Sequence, residues 1–367
     1  MKKTLLLTLI FAISTSYTQI LLSENANNLT VGNVGTDFAG TNPGQGGWYT
    51  RTLVSSGGNN NNFQIVDFDA GSVYANVIKI NGYSGAAATV GNPSNSRFMY
   101  KNIATAWADR DFGNEITEVE YDFYTGPATT SGNTMRVVLY NDATLTKMLA
   151  GFMVGMNPFS IRALAWYDPA TEPGGMGAIG NYSLPLGTNG ATPAVFSQIT
   201  LIANTWYHIG FSYNATSGEL KFKGAGINRN TIQGAAAGTS VDNIQIIGST
   251  GGTATVPNAA SSAGTFDNIV VTATSTDTLL AIKSEENNVS EFSVSPIPAG
   301  NYINISNAKN NTISEITIVD LNGRSIKTQK YENITTLEMN ISDLTSGLYL
   351  MNINTNNGIV IKKIIKE

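Results

Sequence analysis

The chain has 367 residues, 13% of them charged, and a formal net charge of −5. Its basic residues gather into no patch, so the electrostatic footprint of a nucleic-acid binder is missing. It has no cysteine and a single histidine, His208, which excludes a disulfide framework, thiol chemistry and the nitrogen–sulfur sites of zinc or iron.

At the start of the chain, Lys2 and Lys3 precede the apolar run 5–13, and the small residues Ser14, Thr15, Ser16 and Thr18 follow. This is the pattern of a secretory signal peptide over residues 1–18, too short to span a bilayer, with cleavage expected near Thr18–Gln19. No later stretch reaches the ~18 apolar residues of a membrane helix, so no transmembrane segment is expected.

Residues 19–274 read as strands. FQIVDF (63–68), VIKI (77–80), RFMYK (97–101), ITEVEYDFY (116–124) and MRVVLY (135–140) are short and rich in aromatic or β-branched residues. So are SIRALAWY (160–167), WYHIGFSY (206–213), ELKFK (219–223), DNIQIIG (242–248) and FDNIVVTA (266–273). Gly, Pro and Asn clusters separate them, and no long segment keeps a 3.6-residue period. Many strands without helices predict an all-β sandwich or jelly roll. Asn-rich 57–62 reads as a surface loop. Residues 275–291 lack strand alternation, carry a small charge run and read as a linker.

Residues 292–367 predict a second, smaller β-sandwich. Ile303 and Ile305 alternate with Asn304 and Ser306, and Ile316 and Ile318 alternate with Thr317 and Val319. Asn322-Gly323 between apolar runs is a strong hairpin signal, because both residues accept positive φ. Pro296 and Pro298 suit an edge strand rather than a central one.

The pieces FSVSPIPAGNYINIS, IVDLNGRSI, ISDLTSGLYLMNI and KKIIKE occur here in order. They resemble the C-terminal sorting domain of the type IX secretion system of Bacteroidetes, whose fold is a small immunoglobulin-like sandwich. One departure is Ile297, which stands between two prolines where the family usually has Pro-Asn-Pro. The resemblance implies recognition by the secretion machinery and delivery to the outer-membrane surface or the medium. A second stretch, ANTWYHIGFSYNATSGELKFKG, with Thr205, Trp206, Tyr207, His208, Gly218 and Gly224, resembles the concanavalin A-like lectin/glucanase superfamily, including its laminin G-like modules. The closing AGTFDNIVVTA resembles that family's last strand. The implied fold is a large jelly roll, which hosts lectins, glucanases, lyases and adhesive modules alike.

Glu118, Glu120 and Asp122 alternate along one predicted strand, which puts all three on one sheet face. Glycoside hydrolysis needs two flanking carboxylates, about 5–5.5 Å apart for retention, so these three are the candidate catalytic residues. Laminarinase-type relatives carry Glu-x-Asp-x-(x)-Glu, whereas the order here is Glu-x-Glu-x-Asp; a solvated strand face is the competing reading. Mid-strand His208 is expected to be structural rather than part of a hydrolytic triad. Trp48, flanked by Gly46 and Gly47, and Trp107, in AWADRD, read as loop-borne aromatics able to stack on a sugar. The second resemblance also implies a structural calcium on Asp267, at the start of the last strand, with Glu24 near the first strand as its partner. The leading expectation is an exported binding module for a polysaccharide or an extracellular-matrix ligand. The alternatives are a polysaccharide hydrolase or lyase and a structural adhesin.

Overall fold

The computed structural model describes residues 18–52, 59–69, 72–85, 96–172, 175–189, 195–250, 258–280, 292–307, 312–320, 324–355 and 358–367. The signal-peptide run, the Asn322–Gly323 turn and linker residues 281–291 lie outside them. The chain divides into two compact units between Ala281 and Ile282.

The first unit is two antiparallel sheets. One runs Thr231–Gln233, Glu219–Lys223, Trp206–Asn214, Ile116–Tyr124, Ala263–Thr274, Asn76–Asn81, Phe63–Asp67, Gly32–Asn33, and Gln19–Glu24 also pairs with Ala263–Thr274. The other runs Gly180–Pro185, Phe159–Tyr167, Met148–Met156, Thr134–Tyr140, Asn243–Ser249, Arg97–Asn102, Tyr49–Thr52, with Ile199–Thr200 also on Phe159–Tyr167. A period of two sends alternate side chains to opposite faces. Val119, Tyr121, Phe123, Phe211 and Phe266 of the first sheet therefore meet Met135, Val137, Leu139, Phe152, Ile244 and Ile246 of the second in one core. Phe152 and Phe211 meet edge to face across it, with ring centres 5.6 Å apart. This is the jelly-roll sandwich expected from the strand pattern.

Strand Met148–Met156 gave no sequence signal because both of its faces are apolar. Phe152 and Val154 enter the main core. Met148 joins Phe98, Val138, Tyr140, Leu164 and Ile247 in a second cluster on the outer side of the sheet, with Met153 packed against it.

The expected linker begins too early. Residues 276–280 pack on the first unit, and Leu279 is fully buried.

In the second unit, one sheet runs Phe292–Ser295, Tyr302–Asn307, Leu337–Asn340 and another Ser325–Ile334, Ile313–Val319, Gly347–Thr355, Gly358–Lys366. Ile303, Ile305, Ile316 and Ile318 are buried together, as their alternation predicts. The strand before Pro296 is an edge strand.

Candidate functional site

The strand Ile116–Tyr124 does turn Glu118, Glu120 and Asp122 to the outer face of its sheet, but that face is covered. Thr278 donates its N–H to Glu118 Oε1 (2.5 Å) and its hydroxyl to Oε2 (2.7 Å). Leu280 donates its N–H to Glu120 Oε1 (2.7 Å). Asp277 lies 3.3 Å from Lys221 Nζ and 3.5 Å from Lys223 Nζ, and Lys223 also donates to the Leu279 carbonyl (2.6 Å). Residues 276–280 thus form a strap across the sheet. Its burial of Glu118 pushes that carboxyl above its ordinary pKa, against the opposing pull of the two Thr278 hydrogen bonds. Glu118 and Glu120 are strap anchors. The solvated-face reading is also corrected, since Glu118 is buried.

Asp122 has a different set of partners. His208 faces it across the ladder, with Nδ1 2.7 Å from Asp122 Oδ1 and Nε2 3.7 Å from Glu120 Oε2. Asn268 donates to the other Asp122 oxygen at 2.7 Å. Beside them Tyr74 stacks on Trp206 at 4.0 Å. The hydrogen bonds to Asp122 and then Glu120 raise the His208 pKa from 6.5 to about 9, with partial burial opposing them. A pKa raised on folding contributes stability that is fully present below the unfolded value and is lost as pH climbs through the folded one. The contribution is therefore expected to fade between about pH 6.5 and 9. Because His208 is the chain's one histidine, imidazole proton resonances report it directly. Their midpoint should lie near 9 and fall toward 6.5 in Asp122→Asn; an unchanged midpoint in that variant would disprove the pairing.

Trp48 and Trp107 are corrections. Both are buried in the main core. Trp48 starts the run into strand Tyr49–Thr52 on its inward parity, and its indole N–H donates to Glu24 Oε2 (2.9 Å). Lys101 Nζ bonds the same oxygen at 2.8 Å and sits 4.8 Å from the centre of the Trp48 ring. Trp107 lies on the short helix Ala104–Ala108 with the Arg110 guanidinium 3.7 Å from its ring centre. Neither ring is free to stack on a sugar.

Glu24, expected as a calcium ligand, already has its charge balanced by Lys101. Asp267 is fully buried, accepts the Ala26 N–H at Oδ1 (2.9 Å) and leaves Oδ2 without a partner. Burial raises its pKa, the N–H groups of Ala26 and Asn268 lower it, and Asp122 and Glu24 raise it further. Among the described residues no group of three or more His, Asp or Glu side chains is placed to hold a metal.

The polar and aromatic groups that sequence reasoning missed lie on the outer face of the other sheet, where Tyr49, Arg51 and Tyr100 are half-buried and Asn243 and Gln245 are buried. Tyr49 and Tyr100 are opposite each other and stack at 5.2 Å. Gln245 follows Tyr100 across the ladder; it donates to Asn243 Oδ1 (2.9 Å), and its Oε1 is buried without a partner. Arg51 lies over the Phe98 ring at 4.7 Å, and its Nε is likewise unpartnered. Arg51, Tyr100, Asn102, Asp242, Asn243 and Gln245 border a cavity of about 260 Å³. The available signal was an arginine or glutamine at outward parity inside apolar strands, as in MRVVLY and NIQII.

Residues 293–367 match the family described as secretion system C-terminal sorting domain. The chain therefore ends in a type IX sorting tail and is exported to the cell surface or secreted. A search of the curated proteins finds no match. Among solved structures, the alginate lyase of family PL-14 from Aplysia kurodai is 9% identical over 69% of this chain and 99% of that one, with a TM-score of 0.42. The β-glucanase of Bacillus licheniformis is 11% identical over 71% of this chain and 99% of that one (TM-score 0.36). A sialidase is 9% identical over 62% of this chain (TM-score 0.37), which spans only 17% of its length. No helix among the described residues is long and apolar enough to cross a membrane.

Proposed function

We propose that the first unit, through residue 280, is a carbohydrate-binding module that the sorting tail delivers to the cell exterior. The observation that carries this is the outer face of the sheet containing Thr134–Tyr140. It combines a stacked tyrosine pair, hydrogen-bonding atoms without partners at Arg51 and Gln245, and a cavity. Sugar sites need such features: an aromatic surface and a few fixed polar groups in a concavity. Cleavage of a glycoside asks for more, namely two carboxylates in contrasting environments, and Glu118 and Glu120 are both occupied by the strap. The purified protein should be retained on an immobilised polysaccharide and release neither reducing ends nor unsaturated products. Tyr49→Ala should weaken retention about tenfold, a loss of about 1.4 kcal/mol. Turnover that disappears in Glu120→Gln would replace this reading with the hydrolase.

Calcium belongs to the same proposal. The buried, unpartnered Oδ2 of Asp267 is an oxygen of the kind calcium takes, while Glu24 is committed to Lys101. An ion bound only by the folded state would add about 2.7 kcal/mol at a hundredfold excess over Kd. Chelator should lower the melting temperature, calcium should restore it, and Asp267→Asn should respond to neither. A melt indifferent to chelator in the unaltered protein rules the ion out.

A further inference from the structure

The strand register places three arginines in a single transverse row. Arg51 pairs with Phe98, Phe98 with Ile247, Ile247 with Arg136, Arg136 with Met153, and Met153 with Arg162. Directly paired residues share a sheet face, and strands lie 4.7–4.9 Å apart. Arg51 and Arg136 are therefore about 14 Å apart at the backbone, and Arg136 and Arg162 about 10 Å. Apolar side chains fill the positions between them.

The chain has seven arginines. Arg110, Arg229 and Arg324 sit in ion pairs with Glu115, Glu172 and Asp320, and Arg97 donates to the carbonyls of Asn81 and Gly82. The remaining three are the row. Among the described residues none of them has a carboxylate partner. Arg162 donates to the Ser183 hydroxyl and carbonyl, and the Nε atoms of Arg51 and Arg136 are buried without an acceptor. A guanidinium with an unfilled N–H is poised for an oxyanion, which it can grip through two parallel hydrogen bonds. In a protein of net charge −5, three uncompensated arginines on one face make a local field opposite to that of the whole molecule. Two acids stand near the Arg51 end: Asp242 at the rim of the cavity, whose Oδ2 accepts from Asn243 (2.9 Å), and Asp37, whose carboxylate accepts from Thr41 and Asn42.

We infer that this row reads an acidic polysaccharide, a chain carrying carboxylate or sulfate groups, laid across the strands with its anionic substituents on Arg51, Arg136 and Arg162. This rests on the binding reading above and adds the ligand's charge. Three guanidinium groups along one line suit a polymer, because anionic groups recur along it, while Phe98 and Ile247 between them are buried and serve as the floor on which the arginines lie.

The test measures binding of the purified protein to alginate and polygalacturonate (carboxylate), dextran sulfate (sulfate), laminarin and xyloglucan (neutral), and a single-stranded DNA oligonucleotide. Each is run at low and at physiological salt. One or both acidic glycan classes should bind, the neutral glycans at least tenfold more weakly, and binding should weaken as salt screens the contacts. Arg136→Gln and, independently, Arg51→Gln should each weaken it about tenfold with an unchanged melting temperature. Arg162→Gln serves as the third variant should either of these fail to fold. Equal, salt-insensitive binding of laminarin, unaltered in all three variants, would overturn the inference and leave the binding module standing. No retention on any glycan would overturn both. Binding of DNA as tight as that of the acidic glycans would reassign the row to polyanions in general and overturn the inference.

Discussion

A chain ending at Thr274 should melt roughly 6–20 °C below one ending at Leu280. The shorter chain loses the burial of the Leu279 side chain, about 1.5–3 kcal/mol, and the hydrogen bonds from Thr278 and Leu280 to Glu118 and Glu120. Bonds to a charged acceptor contribute about 1.5–3 kcal/mol each, less where the carboxylate regains water. A net loss of roughly 3–5 kcal/mol translates to the stated shift at about 2–4 °C per kcal/mol for a domain of this size. Leu279→Ala in the intact protein should account for about half of it. Matching melts of the two truncations would show that the strap is merely laid on the surface.

Trp48→Ala should be among the most damaging single changes in the first unit, at about 3–5 kcal/mol. Trp48 is wholly buried, and its removal leaves a cavity in the main core. It also takes one of two donors from Glu24 Oε2 and the aromatic face from beneath Lys101. Set against a usual total stability of 5–15 kcal/mol, this should appear as a large drop in melting temperature or as insoluble protein. Trp48→Phe, which restores most of the ring volume but not the N–H donor, should cost clearly less. A fully stable Trp48→Ala protein that has lost only glycan binding would return Trp48 to the surface role first expected of it.

The architecture was legible where the signal is local. Alternation in ITEVEYDFY and in YINISN assigns each residue to a face, and the structure buries Val119, Tyr121, Ile303 and Ile305 accordingly. The sorting tail was legible because its motifs follow one another in order. The candidate site was not, because its parts meet only through long-range pairing. Glu118 reads as a carboxylate on a strand, and nothing nearby announces that its hydrogen-bond donors lie 160 residues downstream. Trp48 stands among glycines, which suggests a loop, yet the first residues of Tyr49–Thr52 fix its parity toward the core. Arg51, Arg136 and Arg162 are spread over more than a hundred positions. They become neighbours only when the order of six strands in one sheet is known.

Gly210 carries an imprint of this kind. Glycine within a strand is unfavourable, for it packs nothing and loses more backbone entropy than any other residue. Here it lies opposite Glu120 in mid-sheet, and a Cβ built on it would meet Leu279 Cδ1 at 2.7 Å. The strand leaves out a side chain where a segment 69 positions later sets its own down. A glycine inside an aromatic-rich strand, facing a neighbour that bears alternate glutamates, is therefore a written trace of a covering peptide. It offers a pattern by which sealed outer faces can be found in other chains before any coordinates exist.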